Sequence, residues 1–224
     1  MKDITVIITG AGAPGAPGII KSLRIVNERK INIIGVDANE NSVGFSMVDK
    51  YYVIPLANDD NFIDVMIDIC EKEKVDVVIP LVTRELMKFA LNKHKFEKIG
   101  TAISVSEHQS LEIANNKYLL LEKCNTAGIP VPKFIKVNNF DQFEEAVYKL
   151  GYPYKNVCFK PPISNGMRGF RILAKEIDRL NLLLNEKPMN VITTLEDVSP
   201  ILKKTESFPE LIVMEYLPGD EYSV

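Results

Sequence analysis

Hydrophobic and polar positions divide the chain into short segments of two kinds. Ile4 to Thr9 and Ile31 to Val36 are continuous runs rich in β-branched residues, the pattern of strands covered on both faces, the second ending at Asp37. Between them Ile19, Ile20, Leu23 and Val26 recur on one helical face, with Pro17 accommodated in a first turn near Ala16. The same metre continues with a strand over Tyr51–Pro55 and a helix over about 59–73 that places Phe62, Met66, Ile69 and Cys70 on one side. A strand over 75–79, a helix over about 84–93 and a strand over 102–105 follow. Four or five β-α units in this order predict a parallel sheet joined by right-handed crossovers, a doubly wound α/β first domain over residues 1–114.

The pattern changes at Asn115. Asn115 or Asn116 caps a helix that runs to about Ala127, Gly128 ends it, and Pro130 and Pro132 prevent its continuation. A second, partial domain is expected over 115–224, with a strand over 133–137, a helix over 141–150 and a strand–loop–strand over 157–173. Helices over about 175–185 and 195–204 and a strand over 210–216 complete it.

Composition narrows the class. With 46% hydrophobic and 25% charged residues the 224-residue chain is an ordinary globular protein and not a disordered one. A net charge of −3 without any basic block argues against a nucleic-acid surface. No apolar run reaches membrane-spanning length and the amino-terminal run is too short for a secretory signal, so no membrane role and a cytoplasmic location are expected. Cys70, Cys124 and Cys158 are odd in number and scattered, which predicts small core residues rather than disulfides or a zinc knuckle. His94 and His108 have no companions at metal-ligand spacing.

Two stretches carry candidate chemistry. The first is the turn Gly10-Ala11-Gly12-Ala13-Pro14-Gly15 after a strand, with Asp37 lying 22 residues past Gly15, the spacing of a dinucleotide turn and its ribose-binding carboxylate. An NAD(P)-dependent oxidoreductase is one reading of it, and a tight turn that packs helix on sheet is another. No tyrosine is followed four residues later by lysine, as short-chain dehydrogenases require, and no Gly-Lys dipeptide marks a P-loop. Thr83, Arg84 and Glu85 also sit just past a strand's carboxyl end, but a charged helix start accounts for them. The second stretch is NVCFKPPISNGMRGFRIL, in which Lys160 ends a strand and a polar loop from Ser164 to Gly169 supplies hydrogen-bond donors and two glycines, a chemically sensible polyphosphate clamp.

Taken in order, the Rossmann-like start, NKYLLLEKCNTAGIPVP, VCFKPPISNGMRGFRIL and LIVMEYLPGDEYSV resemble the ATP-grasp superfamily, and within it stand-alone or split proteins similar to the carbamoyl-phosphate synthase large subunit. The resemblance implies that residues 115–224 begin an ATP-grasp domain, with a lid subdomain over about 130–205 and a hinge strand over about 210–217. It implies that Lys117 and Lys160 contact ATP phosphates and that Ser164, Asn165, Gly166, Arg168 and Gly169 belong to a flexible lid loop. Met214, Glu215, Tyr216 and Leu217 would line the adenine pocket, and Glu221 would hold the ribose hydroxyls. The loop is glycine-poor for the family, and Met167 stands where a small hydroxyl residue is usual.

The implied reaction is carbon–nitrogen ligation through an acyl phosphate, with ATP and Mg2+ as cofactors and an unidentified carboxylate or bicarbonate-type acceptor. The family's magnesium ligands and catalytic arginine are expected beyond Val224, where the strand–turn–strand text breaks off as in a truncated chain. Such a piece is expected to catalyse nothing alone. A homodimer through the first domain is implied as well. A non-catalytic nucleotide-binding module is the other alternative.

Overall fold

The computed structural model describes residues 2–164, 166–185 and 191–219, which fall into two compact units, Met1–Glu112 and Ile113–Val224. In the first unit, β1 (Ile4–Thr9), β2 (Ile31–Asp37), β3 (Lys50–Val53), β4 (Val77–Ile79) and β5 (Ala102–Ile103) form an all-parallel sheet in the order β3-β2-β1-β4-β5. The helices α1 (Ala16–Arg24), α2 (Phe62–Glu73) and α3 (Thr83–Lys98) connect these strands, with a 3₁₀ turn at Val43–Met47. Successive residues of β1 go to opposite faces, as a two-sided strand requires. Ile7 joins Ile34, Val36, Phe62, Met66, Phe89 and Phe96 in one core, while Ile8 joins Ile20 and Ile33 in the other. This is the α/β, doubly wound layering read from the sequence.

Several boundaries differ from the sequence reading, for physical reasons. Helix α1 stops at Arg24, so Val26 lies beyond it and is exposed, because the polar run Asn27–Lys30 offers nothing to bury before β2. Helix α3 runs on to Lys98 because Phe96, one heptad past Phe89, is fully buried and extends the apolar face. A further helix, α4 (His108–Asn115), has no buried residue and hence no stripe by which to foresee it; the division between the units falls within it.

The second unit opens with α5 (Lys117–Thr126), capped by Asn116, whose side-chain oxygen accepts from the backbone N–H groups of Tyr118 at 3.0 Å and Leu119 at 3.2 Å. Its strands β6 (Phe134–Val137), β7 (Val157–Lys160), β8 (Arg171–Leu173), β9 (Ile192–Thr193) and β10 (Leu211–Glu215) form a sheet in the order β6-β10-β7-β8-β9. Only β8 and β9 run parallel among these pairs. Helices α6 (Phe140–Lys149) and α8 (Leu195–Leu202) cover one face, where Phe143, Val147, Val157, Phe159, Leu173 and Val213 form the core. On the other face Cys158, Ile212 and Met214 meet Tyr118 and Leu121 of α5. Helix α7 spans Arg179–Leu184 rather than starting near Lys175, because Asp178 caps it by accepting from Asn181 N–H at 2.8 Å. Cys70 and Cys158 are core residues as expected, whereas Cys124 is half-buried.

Candidate functional site

The strand–loop–strand of the second unit is a hairpin anchored to the start of α5. The backbone N–H of Lys117 donates to Pro162 O at 2.9 Å. Its ammonium donates to Ser164 O at 2.8 Å and Ser164 Oγ at 3.2 Å, and reaches Pro162 O at 3.5 Å. Burial and the neighbouring Lys160 charge both hold the Lys117 ammonium below the usual lysine range. Two cations are thus brought to one side of one loop. The turn itself passes through left-handed backbone at Gly166, Met167 and Gly169, with φ of 58°, 59° and 79°. At Gly169 a Cβ would stand 2.6 Å from Pro161 Cδ, so both the dihedral and the close approach of the Pro161 ring exclude a side chain.

These residues form one end of a cleft of about 620 Å³, a volume within the range of small-molecule sites. Lys117, Lys160 and Ser164 make its polar end, Gly166 and Met167 its rim. Phe170, Ile172, Tyr216 and Leu217 supply an apolar wall, and Val191 and Gly219 complete it. The arrangement suits a ligand with a flat apolar body joined to a polyanion: ammonium groups meet the anion, and an aromatic wall removes the flat group from water.

Of the residues singled out in the sequence, Lys117, Lys160, Ser164, Gly166, Tyr216 and Leu217 line this cleft together. Arg168 and Gly169 belong to the hairpin but not to the wall. The Met214 side chain is 6% exposed and turns into the cluster with Cys158 and Ile212. Glu215 uses its carboxylate on its own chain, accepting from Lys133 N–H at 3.3 Å, and so ties the end of β10 to the start of β6. Asn165 and Glu221 lie outside the described residues. Sequence reasoning missed Phe170, Ile172, Val191 and Gly219. The first two were findable, since Phe170, just before β8, and Ile172 within it are two residues apart in extended chain and share a face; Val191 carries no such signal.

The glycine turn of the first unit has a different task from the one its spacing suggests. Asp37 Oδ2 accepts from Gly12 N–H at 2.8 Å and Oδ1 from Asn39 N–H at 2.9 Å, so the carboxylate read as a ribose ligand is engaged by the turn itself. A Cβ on Gly12 would lie 2.7 Å from Ser42 Oγ, and one on Gly10 would lie 2.5 Å from Val82 Cγ2. Close packing of loops at the sheet's carboxyl edge accounts for Gly10 and Gly12, whereas a Cβ on Gly15 would meet nothing within 4 Å. That packing leaves a second cleft of about 670 Å³, bounded by Gly10 after β1 and Asp37 at the end of β2, by Pro55, Leu56 and Ala57 after β3, and by Val82, Arg84, Glu85 and Lys88 after β4. Glu85, read as part of a charged helix start, is instead only 6% exposed. Burial pushes its carboxyl group up to about 7, with the Asp37 charge adding to the rise and a hydrogen bond with Thr9 opposing it.

Among the described residues no group of three or more His, Cys, Asp or Glu side chains is placed to hold a metal ion, and no helix is long and apolar enough to cross a membrane.

Residues 6–104 match the family described as PylC-like, N-terminal domain. The chain is 29% identical over 144 residues to the carbamoyl phosphate synthase large chain of Methanothrix thermoacetophila, covering 59% of this chain and 12% of that protein. It is 28% identical over 181 residues to the formate-dependent phosphoribosylglycinamide formyltransferase of Histophilus somni, covering 79% and 42%. The chain therefore spans less than half the length of these curated relatives. Among solved structures, the ADP complex of purK, N5-carboxyaminoimidazole ribonucleotide synthetase, superposes with a TM-score of 0.61 at 19% identity, over 97% of this chain and 47% of that one. The biotin carboxylase domain dimer of Hydrogenobacter thermophilus 2-oxoglutarate carboxylase, in complex with MgADP, ADP and bicarbonate, gives 0.61 at 17% identity over 95% and 44%. At such identities the structures speak for the fold. The resemblance to the ATP-grasp superfamily therefore holds: residues 6–104 match a PylC-like N-terminal domain, and the chain is similar to carbamoyl phosphate synthase large chains in sequence and to ATP-grasp enzymes in fold.

Proposed function

We propose that the chain is the nucleotide-binding part of an ATP-dependent carbon–nitrogen ligase, with residues 1–114 and 115–224 as its two functional domains. The observation that carries this reading is a cleft lined both by Lys117 and Lys160 beside the donor-rich hairpin and by the apolar side chains of Phe170, Ile172 and Tyr216. ADP in the purK structure and MgADP in the biotin carboxylase domain support a nucleoside phosphate as occupant. Adenine packs against the apolar wall beside the hinge at Met214–Leu217, and the phosphates lie toward the two lysines. Lys117 has a second duty, because its ammonium also holds the hairpin through Ser164. Arg168 and Gly169, with Ser164, Asn165 and Gly166, act as the covering loop; Glu221 is assigned the ribose hydroxyls on the strength of the resemblance alone.

The reaction proposed is transfer of the terminal phosphoryl group to a carboxylate or bicarbonate oxygen, forming an acyl phosphate and ADP. An amine nitrogen then attacks the acyl carbon, the carbon–oxygen bond to phosphate breaks, and the nitrogen loses a proton. The lysines' part is to offset the charge that otherwise repels an approaching carboxylate. Magnesium serves such chemistry by neutralising phosphate oxygens, but the described residues offer no acidic set to hold it, and no step is assigned to it here. A cytoplasmic location and a homodimer belong to the same proposal.

Isothermal titration with ADP and ATP tests the reading. One-to-one binding that weakens about tenfold or more in Lys160→Ala, the loss of one charge-assisted contact, supports it. Equal affinity in the variant, or a preference for NAD, overturns it.

A further inference from the structure

The cleft of the first unit takes no part in the nucleotide reading, yet its lining includes a buried carboxyl group with one unpartnered oxygen. The strand order β3-β2-β1-β4-β5 reverses direction between β1 and β4, and open α/β sheets bind ligands at such a switch, outside the carboxyl ends of the strands. Gly10 and Val82 flank that point. Glu85 hangs from the first turn of α3, 6% exposed, and its Oε2 has no hydrogen-bond partner among the described residues. A buried oxygen without a donor is destabilising, and Asp37 on the same wall adds repulsion. A donor entering the cleft relieves both.

The other walls restrict what that donor is. Arg84 and Lys88 bring positive charge to the same cleft, and Lys88 is already held by donating to Asp59 O at 2.8 Å, which leaves Arg84 as the fork for an anion. Pro55, Leu56, Ala57 and Val82 are apolar and suit a short hydrocarbon body. We propose that this cleft binds a small amino acid, with Glu85 accepting from its ammonium group and Arg84 pairing with its carboxylate. A simple anion meets the repulsion of Glu85 and Asp37, and a simple cation meets Arg84 and Lys88; a zwitterion satisfies both. Because the ammonium favours the ionised form of Glu85, binding displaces a proton from it at neutral pH, and affinity rises as the pH goes from 6 to 8. Thr9, Asp37, Arg84 and Lys88 are the groups that face Glu85 in this process.

An amine-bearing acid is also of the class that supplies nitrogen in the ligation proposed above. That link alone rests on the nucleotide reading; the binding itself does not. The test is titration of the full chain, without nucleotide, by the standard amino acids and short ω-amino acids, with the matching deaminated acids and decarboxylated amines as controls, read by thermal shift and calorimetry. The expected result is saturable binding of one or a few amino acids, with controls weaker by about tenfold or more, and a loss of about ten- to a hundredfold in Glu85→Gln. Arg84→Ala, at the more exposed position, carries the test if Glu85→Gln does not fold. Silence across the panel, or equal binding of a deaminated acid, overturns the proposal, while failure of ATP to bind leaves it standing.

Discussion

Replacing Glu85 by glutamine tests the electrostatic account of the first unit through the pH dependence of stability. An unfolded glutamate titrates near its ordinary value of 4.5, whereas in the fold burial raises the group to about 7. Folding therefore favours the protonated form. The wild type loses stability as the pH rises from about 4.5 to about 7, and the loss stays constant above that. Two to three pH units at about 1.4 kcal/mol each give about 3 kcal/mol at pH 8, against less than about 1 kcal/mol at pH 5. The amide cannot ionise and escapes this term. Whatever constant penalty it incurs by fitting the same site cancels when the two pH values are compared. Urea denaturation of wild type and Glu85→Gln at pH 5 and pH 8, followed by far-ultraviolet circular dichroism, should show the variant gaining about 2 kcal/mol relative to wild type over the interval. Parallel curves for the two proteins would refute the reasoning, because they would mean that Glu85 is hydrated or paired when folded.

Further consequences follow from the hairpin and the cap beside the cleft of Lys117 and Lys160. Gly169→Ala and Gly166→Ala share the strain of a left-handed dihedral, but only the former drives a Cβ to 2.6 Å from the Pro161 ring, whereas the latter meets just the end of the Arg168 side chain. The Gly169 variant should therefore be the less stable of the two, by about 1–2 kcal/mol in denaturant midpoint analysis. Asn116→Ala removes the acceptor for two N–H groups at the start of α5. A loss of about 1 kcal/mol is expected, with weaker ADP binding on calorimetry, since Lys117 is the next residue. Phe143, fully buried beneath the second sheet, should cost about 3–5 kcal/mol when cut back to alanine.

What was legible in the sequence is what local chemistry decides. The runs at Ile4 and Ile31 announced strands covered on both sides because alternate residues feed two cores. Asn116, one of two candidate caps, announced a helix start because its side chain satisfies N–H groups two and three residues away. Lys160, with the doubled proline and the glycines after it, announced a strand end and a turn. What was not legible depends on partners distant in sequence. Glu85 follows Arg84 at a helix start and reads as solvated, yet it is buried beside Thr9 and Asp37, which lie far from it in sequence. GAGAPG has the same letters whether it cradles a pyrophosphate or lets loops pack; Asp37 bonded to Gly12 and the tight fit at Gly10 and Gly12 accord with the second use. Helix α4 buries nothing, so it left no periodic trace. Val191 lies just before a two-residue strand, β9, too short to leave a pattern.

The central claim is that a nucleoside triphosphate occupies the cleft between the hairpin and the hinge. Amide hydrogen exchange with and without saturating ATP and magnesium, and in parallel with NAD, tests it most directly by showing where protection appears. The account predicts slowed exchange with ATP in residues 160–172 and 214–217, none with NAD, and loss of the effect in Lys160→Ala. Protection by either ligand confined to residues 10–18 and the strand end at Asp37 would contradict it and return the nucleotide to the glycine turn.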